Sequence, residues 1–167
     1  MPTTSEVIIK KATENDISLV LSFIKALAEY EQLSHEVVAT QETLHNSLFG
    51  KNAVAEAIFA YYQEQPAGFA VFFHNFSTFL GRPGIYLEDI YVYPEFRNKK
   101  IGRTLLAYMA RRAKKRKCGR LEWTALNWNQ SAIQFYKNLG ATPMQEWTTF
   151  RLTGEDLEQL AHNQKSP

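Results

Sequence analysis

The sequence predicts an α+β domain: a central mixed, mostly antiparallel β-sheet flanked by helices on both faces. Two runs rich in aromatic and branched residues, Val54 to Tyr62 and Gly68 to Phe73, are separated by the polar Gln63-Glu64-Gln65-Pro66, which is hairpin patterning. From residue 85 onward, strand-like runs alternate with helix-period segments, as in βαβ units with parallel strands. An early hairpin joined to late βαβ units requires a mixed sheet. No internal repeat, low-complexity tract or linker interrupts the 167 residues, so one domain over 1–167 is expected at this ordinary length.

The elements follow in order. Val7-Ile8-Ile9 is a short strand. Thr13 is placed to cap a helix, with Glu14 and Asp16 at the positive end of its dipole. Ile17, Val20, Leu21, Ile24, Leu27 and Ala28 then recur at helical spacing and form one buried stripe. Ser34 to Ala39 connects to a second helix, capped by Thr40, carrying Leu44 and Leu48, and ended by Gly50. After the hairpin, His74 to Gly84 contains Gly81, Pro83 and Gly84 and reads as a loop. Ile85 to Val92 is a strand closed by Pro94, followed by a basic turn and a helix bearing Leu105, Leu106, Met109, Ala110 and Ala113. Leu121 to Leu126 is a further strand, and Asn129 to Leu139 a helix that Gly140 ends in a left-handed cap. Trp147 to Leu152 reads as a final strand, and Thr153-Gly154-Glu155-Asp156 opens a terminal helix.

Composition narrows the function classes. Hydrophobic residues make up 45% and aromatics 13%, enough for a core and against disorder. No run approaches the roughly 20 apolar residues of a membrane helix, and Met1 to Lys11 lacks a secretion signal. One cysteine, Cys118, excludes an internal disulfide, reads as a small buried hydrophobe, and fits a reducing, cytoplasmic setting. Four scattered histidines and that cysteine offer no metal-ligand spacing, so no metal is expected. The net charge of +2 hides a concentration of Lys and Arg between Arg97 and Arg120, including Lys114-Lys115-Arg116-Lys117. It reads as the solvated face of a helix, a nucleic-acid footprint, or a dock for a phosphorylated cofactor.

The chemistry concentrates in the segment from Leu87 to Arg103, a strand, a tight basic turn and a helix start. A helix N-terminus presents unpaired N–H groups and a positive dipole end, which suits phosphate. Arg97, Lys99, Lys100 and Arg103 add charge there, and Gly102 leaves room for close approach. This segment resembles the acetyl-CoA motif of the GNAT N-acetyltransferase superfamily, Arg/Gln-x-x-Gly-x-Gly/Ala. Leu87-Glu88-Asp89, Trp128-Asn129, Phe135-Tyr136, Gly140-Ala141 and Tyr30-Glu31 further resemble its spermidine/spermine (diamine) acetyltransferase branch, in matching order from about Val7 to Leu160. One position departs: Lys100 stands where the superfamily has its first turn glycine, and positive φ there costs a non-glycine residue roughly 1–2 kcal/mol.

The resemblance implies the GNAT fold, acetyl-CoA as co-substrate, a primary amine of a small cationic substrate as acceptor, and a homodimer. It implies that Ile90, Tyr91 and Val92 meet the pantetheine arm and thioester through their backbones. Arg97, Asn98, Lys99, Lys100, Ile101, Gly102 and Arg103 would wrap the pyrophosphate, with Asn129, Gln130, Ser131 and Ala132 on the other side.

Amine acetylation needs a deprotonated nucleophile, a polarised thioester carbonyl and a proton for the departing thiolate. An alkylamine has a pKa near 10.4 and arrives charged, so a carboxylate must hold the cation and take its proton. Glu88 and Asp89 are charged residues within a strand, and strict alternation sends them to opposite faces. By resemblance Glu88 is the base and Asp89 a substrate contact, while the alternative is that either is a buried partner of a basic residue. Tyr136 reads alone as a core aromatic; the resemblance makes it the general acid at the coenzyme sulfur. Tyr30, Glu31, Glu122, Trp123 and Thr124 are further substrate candidates, with Glu122 and Thr124 on one strand face, and Glu146 is another acid near that end. The acid that polyamine-acetylating relatives carry near Asn75 to Phe79 is missing, which brings diamines and basic amino acids or analogues such as thialysine into range.

Two rival functions use the same features. A nucleic-acid module would interleave aromatics with the charges, and Arg111 to Lys117 has none. An acetyltransferase acting on a protein or peptide amine would share the cofactor motif. The adjacent acids Glu88 and Asp89 point instead to a compact cation.

Overall fold

The computed structural model describes residues 6–163. The reading of Met1 to Lys11 as free of a leader, and both ends of the 1–167 domain, lie partly outside those residues. The chain gathers into two compact units, Met1–Leu126 and Asn127–Pro167.

The first unit is built on a five-stranded sheet in the order β1 (Val7–Lys11), β2 (Glu56–Tyr62), β3 (Gln65–Ser77), β4 (Arg82–Val92) and β5 (Leu121–Trp123). Neighbouring strands from β1 to β4 are antiparallel, and β5 runs parallel to β4 after the crossover helix α3 (Ile101–Lys115). Two further helices, α1 (Ile17–Tyr30) and α2 (Gln41–Phe49), lie between β1 and β2 in sequence.

Helices cover both sheet faces because strand side chains alternate. Val20 and Phe23 of α1 join Leu48 of α2 and Phe59, Phe69 and Tyr91 of the sheet in one core. Phe23 stacks on Phe69 at 4.9 Å and on Tyr93 at 4.4 Å, and burying such a ring stabilises the fold by roughly 1.5–3 kcal/mol. On the other face α3 buries Ile101, Leu105, Leu106, Met109 and Ala113. Gly68 permits that approach: a Cβ there would lie 3.0 Å from the Tyr91 carbonyl oxygen and 3.2 Å from Ile101 Cγ2.

The predicted caps hold with one refinement. Asp16 Oδ2 accepts from both the Thr13 N–H at 2.7 Å and the Thr13 hydroxyl at 2.8 Å, closing a single 3₁₀ turn, Glu14–Asp16, which leads into α1. Thr40 caps α2, its hydroxyl accepting from the Thr43 N–H at 3.2 Å. The hairpin turn is only Gln63-Glu64, both at positive φ (49° and 64°), as a two-residue turn matched to strand twist requires.

Four expectations need correction. The loop placed at His74 to Gly84 is mostly sheet: β3 and β4 pair from Gly68↔Val92 to Ser77↔Arg82, leaving a turn around Gly81 at φ 60°. The long ladder satisfies backbone groups along its length and overrides the Gly and Pro signals. The strand expected over Leu121 to Leu126 stops at Trp123, where its pairing with β4 ends at Leu87. Residues 147–152 form no strand; Trp147 and Phe150 are exposed, and a strand without a ladder partner has nothing to order it. Cys118 is half-buried rather than a core residue.

The second unit carries α4 (Gln130–Asn138) and α5 (Gly154–His162). Asn129 caps α4 through its side chain, and Gly140 follows it at φ 92°, as expected. Among the described residues no helix is long and apolar enough to cross a membrane.

The basic stretch divides on inspection. Arg116 and Arg112 turn inward from α3 onto Glu56 of β2, at 2.6 and 3.4 Å, and the Arg116 guanidinium lies 5.8 Å from the Phe72 ring centre. These two cations are tertiary ties between helix and sheet.

Candidate active site

The middle of β4 is irregular at the residues that matter. Val71 pairs with Asp89 and Phe72 with Leu87, so Glu88 is skipped and forms a bulge. Simple alternation is therefore broken. Residues directly opposite share a face, so Asp89 sides with Val71, and Tyr91 with Phe69, on the face packed by α1. Leu87 sides with Phe72, and Ile90 with Ala70, on the other face. Glu88 is exposed and Asp89 is partly buried.

The electrostatics single out Asp89. Burial, then the negative charges of Glu88 and Glu31, push its carboxyl up to about 6. Glu31, the residue just after α1, is also raised by burial. Two neighbouring acids thus add to the effect of burial at Asp89, with no cation among the causes of its shift. Such a site favours an incoming ammonium group.

Beside the acids lies an aromatic cluster. Tyr30, the last residue of α1, is 6.1 Å from Tyr91, which meets Tyr93 edge-on at 5.8 Å. The Arg97 guanidinium sits 4.8 Å from the Tyr30 ring centre and 5.7 Å from that of Tyr91, and its Nε donates to the Val92 carbonyl at 3.2 Å. Burial raises the Tyr91 hydroxyl, and the Arg97 charge partly opposes this.

The turn from β4 to α3 runs through a 3₁₀ segment, Pro94–Phe96, and then two left-handed residues, Asn98 and Lys100, both at φ 62°. Lys100 is the N-cap of α3, and no side chain caps the helix there. The first amides of α3 are therefore available to an anion. Lys99 lies 5.3 Å from the Tyr62 ring, so the turn's cations are partly held on aromatic faces. On the β5 side, the β4 ladder stops at Leu87 among the described residues, leaving the backbone of Glu88 to Val92 beyond it. An uncapped helix start and a strand edge released from its ladder fit a long ligand with a pyrophosphate and an amide-bearing arm.

The other candidates are placed as follows. Glu122 accepts from Asn75 Nδ2 at 3.0 Å and pairs with Arg120 at 2.8 Å, joining β3 to β5. Trp123 ends β5, and Thr124 lies exposed just past it. In the second unit, Asn129 Oδ1 accepts from the Ala132 N–H at 3.4 Å and from Ser131 Oγ at 3.3 Å, while Gln130 Nε2 donates to the Asn127 carbonyl at 2.6 Å. Tyr136 lies on α4 with its ring 5.6 Å from that of Phe135. Glu146 is exposed.

Sequence reasoning missed the seat of Arg97 on Tyr30. Nothing local in either segment signals a contact between positions so far apart. The bulge at Glu88 was equally silent, since an inserted residue is defined only against its partner strand.

The model of the Acetyltransferase (GNAT) family matches residues 22–141. A thialysine N-epsilon-acetyltransferase of Sus scrofa is 38% identical, over 94% of this chain and 98% of that protein. An L-ornithine N5-acetyltransferase of Arabidopsis thaliana is 28% identical, over 91% of this chain and 86% of its own. An integron cassette protein from the mobile metagenome of V. cholerae superposes with a TM-score of 0.77 at 30% identity, covering 93% of this chain and 98% of that one.

Proposed function

The chain belongs to the acetyltransferase (GNAT) family and is an enzyme, and from that premise we propose that it acetylates the primary amine of a small cationic substrate, using acetyl-CoA. The favoured acceptors are basic amino acids and their analogues, with thialysine and ornithine foremost, as in the relatives named above. The observation that carries this reading is Asp89, an acid on β4 raised toward neutrality by burial and by Glu88 and Glu31. A site that collects negative charge in a partly dry place is suited to an alkylammonium.

Acetyl-CoA would supply the activated acyl group, with its pyrophosphate at the start of α3 and its arm along β4. Asn98, Lys99 and Lys100 would shape the turn, with Arg97, Ile101, Gly102 and Arg103, and Asn129, Gln130, Ser131 and Ala132 would complete the cofactor contacts. Asp89 and Glu31 hold the incoming cation, with Tyr30 as a wall. Glu88, exposed on its bulge, takes the ammonium proton through water and leaves a neutral amine to attack the thioester carbonyl. The backbone N–H groups around Ile90 steady the negative charge that develops on the carbonyl oxygen. As the C–S bond breaks, Tyr136 gives its proton to the thiolate, and the second proton lost by the acylated nitrogen returns through solvent to the tyrosinate. Residues 1–167 act in this reading as one catalytic domain. We extend it to a cytoplasmic homodimer, on the branch resemblance and the single cysteine.

Coenzyme A thiol release, measured across thialysine, ornithine, lysine, short diamines, spermidine, spermine and a few peptides, tests the proposal. Turnover is expected on the basic amino acids and diamines, lost in Tyr136→Phe. Turnover on peptides alone would transfer the activity to a protein substrate.

A further inference from the structure

We propose that Arg97 is a positioning residue that couples the cofactor turn to the amine side of the site; the inference rests on the acetyltransferase reading above. The turn cation that sequence reasoning assigns to phosphate is held elsewhere. Its guanidinium lies against Tyr30, the final residue of α1, and near Tyr91 of β4, while Nε anchors on the Val92 carbonyl at the end of β4. One side chain thus touches the two elements that carry the acids: Glu31 follows Tyr30, and Asp89 shares the Tyr91 face.

The backbone of Arg97 leads into the left-handed Asn98 and Lys100, which set the start of α3. Any ligand that orders this turn therefore fixes where the guanidinium sits, and with it the Tyr30 wall. Tyr91 extends the contact inward through Tyr93 to Phe23 in the core, so the aromatic seat is rigid. A rigid seat transmits position, and coupling between two binding events is reciprocal. Disturbing Tyr30 must then weaken coenzyme A, and disturbing Arg97 must weaken the amine.

The test uses the full chain, with coenzyme A as probe in titration calorimetry and thialysine as amine in steady-state kinetics at saturating acetyl-CoA. Tyr30→Leu removes the ring and is expected to weaken coenzyme A about three- to ten-fold, the range of a cation–π contact. Tyr30→Phe keeps the ring and is expected to keep the dissociation constant. Arg97→Gln is expected to raise the amine KM by a similar factor, with Arg97→Lys restoring part of it. Unchanged coenzyme A binding in Tyr30→Leu, or an amine KM unmoved in Arg97→Gln, overturns the coupling. Equal losses in the Phe and Leu variants also overturn it, because the hydroxyl rather than the ring would then be responsible. Wild-type protein that fails to bind coenzyme A overturns both this inference and the acetyltransferase reading. Wild type that binds and turns over, with silent variants, overturns the inference alone.

Discussion

Arg116, the residue that caps the C-terminus of α3, grips Glu56 of β2 with two hydrogen bonds, Nη1 to Oε2 at 2.6 Å and Nη2 to Oε1 at 2.8 Å. Arg112 approaches the same carboxylate from one turn earlier in the helix. This tie fastens the C-terminal half of α3 to the sheet and leaves its N-terminal end, which follows the basic turn, held chiefly by Ile101 and Leu105.

The Arg116 hydrogen bond, with charge from Arg116 and Arg112, holds the Glu56 carboxyl below its ordinary value. A depressed acid contributes stability above its unfolded pKa of about 4.3 and loses that contribution as pH falls through the folded value. Glu56→Gln is expected to cost about 1 kcal/mol at pH 7, discounted for the partial exposure of the pair. Urea unfolding of wild type and variant at pH 7 and pH 3.5 checks it: the gap narrows in acid.

Asp89 has the opposite sign. Its folded pKa of about 6 exceeds the unfolded one, so the charged form is disfavoured by folding. Its contribution is fully favourable below the unfolded pKa and is lost as pH rises through about 6. Asp89→Asn is therefore expected to stabilise the fold at pH 7.5 by about 1–3 kcal/mol while raising the amine KM. Thermal unfolding alongside kinetics reads both, and a lower melting temperature would mean that the charge is compensated.

The same acid shapes the pH profile. Below pH 6 Asp89 binds a proton, and in its proposed role it would then no longer hold an ammonium group. kcat/KM is expected to fall on the acid side through an apparent pKa at or below about 6, and that limb should disappear in Asp89→Asn. An unaltered acid limb in the variant would assign it to another group.

Lys100 holds φ 62° without a glycine's freedom. Lys100→Gly relieves roughly 1–2 kcal/mol of left-handed strain and gives back about 0.5–1 kcal/mol in chain entropy. A net gain of about 0.5–1 kcal/mol is expected, read as a higher melting temperature. A decrease would show that the lysine side chain contributes more than the strain costs.

Tyr136→Phe removes a proton without changing the shape of α4. The expected result is a loss of about 100-fold or more in kcat with little change in acetyl-CoA KM. Retained kcat would hand protonation of the thiolate to water or another residue.

Much of the scaffold is legible one segment at a time. Thr40 caps α2 where its hydroxyl can reach the next turn, and Gly140 follows α4 where a left-handed residue is needed. The hairpin, the basic turn and the α3 stripe follow from periodicity, which acts within a dozen residues. The family motif lies in that same stretch, so the chemistry was legible with it. Strand lengths were not: His74 to Ser77 and Arg82 to Gly84 are sheet only because each arm finds the other, while residues 147–152 have strand composition and no ladder. The bulge that takes Glu88 out of register, the shared field of Asp89, Glu88 and Glu31, and the seat of Arg97 on Tyr30 arise between distant segments. By itself the sequence determined the helices, the hairpin and the family motif, because caps, periodicity and motifs are local. The tertiary structure alone decided which acids act on Asp89 and where the Arg97 cation is held, because charge and register depend on neighbours that the chain order does not name.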